Sequence, residues 1–77
     1  KLSYKDQRDY DLLPARVEEL GAAIADAETK LSDPDLYAKN PARFADLTKE
    51  IETLRAERDA AEERWLTLAE MVETLGG

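Results

Sequence analysis

Leu31-Ser32-Asp33-Pro34-Asp35-Leu36-Tyr37-Ala38-Lys39-Asn40-Pro41 is the stretch on which the fold turns. Asp33-Pro34 and Asn40-Pro41 each place a helix-capping side chain ahead of a proline, whose missing N–H costs nothing at the first helical position. The spacing predicts a single helical turn over 34–39 and a fresh helix from Pro41. A chain that stops, turns once and restarts in so short a span sends its second element back along its first.

On the N-terminal side of this connector, Tyr10, Leu13, Val17, Leu20, Ile24, Ala27 and Leu31 recur in steps of three and four. On the C-terminal side, Phe44, Leu47, Ile51, Leu54, Arg58, Ala61, Trp65, Leu68, Val72 and Leu75 keep the same rhythm. These are a/d seams. The second helix would be about 50 Å long at 1.5 Å per residue. Ser3 followed by Asp6 reads as an N-cap with a carboxylate favoured by the helix dipole, so the first helix starts there. Pro14 cannot donate to the carbonyl of Tyr10, which predicts a kinked or split first helix, with segments 3–13 and 14–31.

The expected fold is all-α: an antiparallel two-helix coiled-coil hairpin. It forms one domain over 1–77, with a first arm over 3–13 and 14–31, a connector over 32–40 and a second arm over 41–75. Two such seams can pair within one chain or between chains. Folding the chain about the connector sets Asp9 opposite Arg64 and Arg16 opposite Glu57, with Leu2 opposite Met71. It also layers Val17 on Leu54, Leu20 on Ile51, Ile24 on Leu47, Ala27 on Phe44 and Tyr10 on Ala61. These matches favour pairing within the chain. One pair disagrees, because Lys30 falls opposite Arg43.

Arg58 occupies a seam position near Pro14. Either its guanidinium bonds carbonyls freed by that proline, or it reaches out to solvent or Glu62 with its stem along the seam. Tyr10, Pro14, Arg58 and Trp65 are accordingly read as structural. Leu36 and Tyr37 have no seam position and are expected to cap the hairpin end against Leu31, Phe44 and Leu47. Leu12 and Leu66 point outward.

With no cysteine and no histidine, disulfides are absent and thiolate or imidazole metal sites and nucleophile–base pairs cannot be assembled. Glu18-Glu19 and Glu62-Glu63 are adjacent, but helix neighbours point in different directions, and a solvated face accounts for them. Gly21, Gly76 and Gly77 are the only glycines, so no Gly-rich phosphate loop exists. The chain is not expected to be an enzyme or to bind a cofactor. No apolar run approaches the roughly 20 residues of a membrane span, and no signal-peptide pattern is present; a cytoplasmic setting is expected. Opening on Lys1-Leu2-Ser3 without an initiator Met, the chain reads as part of something longer.

Charged residues make up 38% of the chain and the net charge is -7. Spread evenly, that charge would repel a phosphate backbone, so a nucleic-acid role needs a local basic cluster. Residues 12–29 carry one base and four acids and residues 50–77 three and eight, whereas 30–49 carry four and three. The tip cluster Lys30, Lys39, Arg43 and Lys49 is therefore the first candidate for phosphate contact. A second, Lys1, Lys5 and Arg8, sits at the opposite end, interleaved with Tyr4 and Tyr10 but balanced by Asp6, Asp9 and Asp11.

Leu2-Ser3-Tyr4-Lys5-Asp6-Gln7-Arg8 followed by Leu13-Pro14, the connector Asp33-Pro34-Asp35-Leu36-Tyr37, and Glu62-Glu63-Arg64-Trp65-Leu66 together resemble the C-terminal domain of Uup-type members of the ABC-F family of ATPases. The resemblance spans essentially the whole chain. It implies two nucleotide-binding cassettes upstream, which would hold ATP and Mg, and work on ribosomes or DNA without membrane spans. Lys5, Arg8 and Pro14 match the family pattern. The expected function is an accessory arm contacting DNA or ribosomal RNA. The alternative is a protein-interaction, spacer or dimerisation coiled coil; the isolated domain is expected to be monomeric.

Overall fold

A computed structural model describes residues 1–76, so Gly77, the end of the expected domain, lies outside the described residues. Three helices follow one another: α1 (Tyr4–Leu31), α2 (Leu36–Lys39) and α3 (Pro41–Gly76). α1 and α3 pack along one another and α2 packs on α3, giving a rod of 57 × 15 × 14 Å. Its radius of gyration is 17.2 Å, against about 11 Å for a compact chain of this length.

The caps of the two long helices fall where the sequence places them, whereas the short connector helix starts after Asp35, with no side-chain cap, rather than after Asp33. The Ser3 hydroxyl accepts from the Asp6 N–H at 3.1 Å and opens α1. Asn40 Oδ1 accepts from the Arg43 N–H at 3.1 Å and opens α3 with Pro41 at its first position. At the connector, Asp33 Oδ1 accepts from the Asp35 N–H at 3.0 Å. Regular helix there covers only Leu36–Lys39, shorter than the turn expected over 34–39, because Pro34 and Asp35 are spent in the bend that follows Asp33.

Pro14 does not divide the first arm. α1 runs unbroken through it, so the expected boundary between 3–13 and 14–31 is absent. A proline inside a helix costs about 3 kcal/mol, but Leu13 and Val17 on either side are both half-buried against α3 and hold the helical path. Pro14 itself is exposed.

The buried residues are Leu20, Ile24 and Ala27 of α1 and Leu47, Ile51 and Leu68 of α3. All six are seam positions. Ile24, Ala27, Leu47 and Ile51 form one cluster, with Leu31, Leu36 and Leu54 packed against it, so seam residues of both arms meet within the chain. Each fully buried Leu or Ile contributes roughly 1.5–3 kcal/mol, so the connector half of the rod holds most of the apolar stabilisation. Leu36 joins this cluster as expected. Tyr37 is 66% exposed but meets Phe44 edge-on, with ring centroids 5.2 Å apart.

Toward the chain ends the seam is held differently. Tyr10 and Trp65 stack with centroids 5.8 Å apart and planes 6° from parallel, an offset arrangement that suits aromatic quadrupoles. Leu68 is fully buried. Arg58 does not bond carbonyls freed by Pro14: its Nη2 lies 3.4 Å from Asp59 Oδ1 and its Nε 3.5 Å from Glu62 Oε1. The Nε is buried and makes no hydrogen bond. The second reading, a stem along the seam with the head turned to Glu62, is the one realised.

Two substitutions follow from this packing. A Cβ on Gly21 would meet nothing within 4 Å, so Gly21→Ala removes the helix penalty of glycine without a clash. It should stabilise the chain by about 1 kcal/mol and raise Tm by about 4–8 °C; an unchanged or lower Tm would show that the open space is needed. Arg58→Leu should also raise Tm, because it removes an unsatisfied buried N–H while keeping the seam filled.

Candidate functional site

The arms of the hairpin use their arginines on each other's acids. Arg16 Nη2 meets Glu57 Oε2 at 3.1 Å and Arg64 Nη2 meets Asp9 Oδ2 at 3.5 Å, both as the register predicts. Two further contacts were not read from the sequence. Arg55 Nη2 reaches Glu28 Oε2 at 2.7 Å, and Arg64 Nη2 reaches Asp6 Oδ1 at 2.7 Å. The signal for the second was present: Asp6 lies one helical turn before Asp9 on the same face of α1, within reach of the same guanidinium. Its hydrogen bond to Asp6 is the largest cause holding the Arg64 guanidinium above its ordinary pKa; partial burial works the other way, and the remaining attraction comes from both carboxylates. Arg64 therefore stays charged and binds both aspartates.

The tip cluster is half neutralised. Lys30 Nζ lies 3.1 Å from Asp26 Oδ2 and Lys39 Nζ 3.5 Å from Asp35 Oδ2. The like-charge meeting of Lys30 with Arg43 is answered by Asp26, one turn back on Lys30's own helix. Arg43 and Lys49 are exposed and have no carboxylate within 4 Å among the described residues.

At the opposite end the sequence balance of zero conceals a separation. Asp6 and Asp9, half-buried, turn toward Arg64. Asp11 Oδ1 accepts from Gln7 Nε2 at 3.0 Å. Lys1, Lys5 and Arg8 are all exposed, with no carboxylate within 4 Å among the described residues. Tyr4 beside them is 85% exposed and Leu12 56%. Tyr4, Gln7, Arg8, Asp11 and Leu12 line one shallow groove of about 300 Å³.

The sequence-predicted residues thus fall into two groups about a rod's length apart, with Lys30, Lys39, Arg43 and Lys49 at the tip and Lys5 and Arg8 at the base. Tyr10, Pro14, Arg58 and Trp65 lie in or beside the seam between them. Pro14 and Trp65, with Val17, Glu62 and Leu66, border a larger open groove of about 410 Å³. Among the described residues no three acids converge as a metal site requires, and no helix is long and apolar enough to cross a membrane.

Comparison with known proteins adds an independent line. Residues 1–70 match the ABC transporter C-terminal domain family. The chain is 43% identical over 77 residues to the ATP-binding protein Uup of Caulobacter vibrioides, which covers all of this chain and 13% of that protein. The chain therefore spans about an eighth of the length of that curated relative. No solved structure matches it significantly.

The knot at Arg64 yields a test of the register. Arg64→Glu would set a third carboxylate against Asp6 and Asp9, and its Tm should fall, most steeply at low salt, where repulsion is least screened. Adding Asp6→Lys and Asp9→Lys should restore it. Failure of that restoration would mean the three side chains do not meet.

Proposed function

This chain belongs to the ABC transporter C-terminal domain family, in its Uup-type ABC-F branch, and from that premise we propose that it is a non-catalytic arm contacting nucleic acid, DNA or ribosomal RNA, for a parent ATP-binding protein. The supporting observation is the sorting of its charges. Arg16, Arg55, Arg58 and Arg64 are engaged with acids, whereas Lys1, Lys5 and Arg8 at the base and Arg43 and Lys49 at the tip have no carboxylate within 4 Å among the described residues. Unpaired cations on an exposed helical surface are what phosphate contact requires, and they release counterions when they bind.

The acidic total does not cancel these clusters at a distance. Charges are screened beyond about 8 Å at physiological salt, and the rod is 57 Å long. ATP and Mg belong, in this reading, to cassettes in the parent protein, which the arm joins in the cytoplasm; the chain itself remains monomeric.

A specific observation supports a second reading, as a protein-interaction or spacer module. Leu12, Leu66 and Leu75 are each more than half exposed, and the groove beside Trp65 is apolar enough to receive a partner's side chain.

Titrating the chain against labelled duplex DNA and structured RNA at two salt concentrations separates the readings. Nucleic-acid contact predicts affinity that falls with salt, by a log–log slope of about -0.9 per duplex phosphate engaged, and that is lost on joint charge reversal of Lys5, Arg8, Arg43 and Lys49. Absence of binding at low salt selects the protein-interaction reading.

A further inference from the structure

We infer that the nucleic-acid contact is made at the base of the hairpin, by Tyr4, Lys5 and Arg8 on the outer face of α1, and that its ligand is a strand with unpaired bases. This rests on the reading of the chain as a nucleic-acid-binding arm and adds the place and the class of ligand.

Three observations converge on that face. The first is charge. Two of the three acids that cancel the base cluster in the sequence, Asp6 and Asp9, are drawn to Arg64 at 2.7 and 3.5 Å, and the third, Asp11, accepts from Gln7, leaving Lys1, Lys5 and Arg8 without a carboxylate within 4 Å among the described residues. The tip lacks this separation, because Lys30 and Lys39 each keep an acid from their own helix.

The second is the aromatic ring. Tyr4 is the most exposed large apolar side chain in the chain at 85%, and it takes no part in either aromatic pair. At the start of α1 it stands one turn from Arg8 and next to Lys5, so ring and cations share one stretch of surface. A free aromatic face flanked by cations suits a strand whose bases are unstacked, each base lying on the ring while its phosphates meet the cations. A closed duplex presents only phosphates there, because its bases are stacked on each other.

The third is rigidity. The Ser3 cap bonds the Asp6 N–H at 3.1 Å, and Gln7 N–H donates to the Ser3 carbonyl at 2.9 Å, so the turn carrying Tyr4, Lys5 and Arg8 is helical from its first residue. Gln7 and Asp11 are bonded to each other at 3.0 Å along the same groove. Asp11, the one acid bordering the groove, keeps its charge but is bonded to Gln7 rather than to Lys5 or Arg8.

The test compares a short labelled single strand of mixed sequence with its blunt duplex, by fluorescence anisotropy at low salt, using the whole chain. The single strand should bind more tightly. Tyr4→Ala should weaken single-strand binding about tenfold and leave duplex binding unchanged, the loss expected for one stacked base. Tyr4→Phe should bind as the unaltered chain does, since the ring and not the hydroxyl carries the contact. Lys5→Glu with Arg8→Glu should abolish binding of both forms. Tyr4 lies outside the seam, so an unchanged helical circular dichroism spectrum separates these effects from unfolding.

If Tyr4→Ala affects both forms equally or neither, the stacking role is overturned. Should Arg43→Glu with Lys49→Glu abolish binding while the base variants retain it, the contact lies at the tip; this inference then fails while the arm's nucleic-acid role stands. Absence of binding to either form at low salt removes both.

Discussion

The meeting of two apolar stripes, Ile24 and Ala27 against Leu47 and Ile51, is the contact on which everything else in this chain depends. A rod two helices thick has no interior other than its seam, and every fully buried side chain belongs to it. Because α3 is longer than α1 and the connector is short, the register of those layers decides which residues face each other over the whole length. Shifting it by one helical turn would part Arg16 from Glu57 and Arg64 from its two aspartates. The ion pairs along the edges are exposed or half-exposed and contribute at most about 1 kcal/mol each. They choose among registers that the apolar contact makes possible.

That seam is uneven, and the unevenness separates the two ends. Near the connector it is aliphatic and closed by Leu31 and Leu36. Toward the chain termini it admits a charged residue, Arg58, then an aromatic stack and an arginine holding two acids. An end built from polar contacts draws acids inward from the flanks of the helix. In doing so it turns a neutral sequence into a surface with a cationic outer face.

Much of this was legible in the sequence, because it depended on period and caps. The three-four rhythm gave the helices and their pairing, Asn40-Pro41 marked the restart, and folding about the connector placed Asp9 on Arg64 and Arg16 on Glu57. What was not legible depended on reach in three dimensions. Pro14 left open a kinked or a divided α1, and the helix is not divided; whether a proline breaks a helix is decided by the packing on both sides of it, which lies in the other arm. Arg58 was tied in one reading to the carbonyl released by Pro14, yet the guanidinium turns along its own helix to Asp59 and Glu62. Asp6 was read as a dipole partner of its own helix, and its longer reach to Arg64 required knowing where α3 stood.

The same limit explains why counting charges along the chain orders the two candidate ends differently from the pairing of their side chains. A running sum treats neighbours in sequence as neighbours in space, and on a helix residues one apart point about 100° away from each other. Lys5 and Asp6 cancel in the sum, but one faces outward and the other faces α3. At the tip the reverse holds, since Lys30 with Asp26 and Lys39 with Asp35 are four apart and meet on one face. For a hairpin of this kind, the unit that predicts local charge is the helical face together with what the opposite arm withdraws from it. By that measure, the cationic surface least offset by neighbouring acids is at the base, where the running sum is zero.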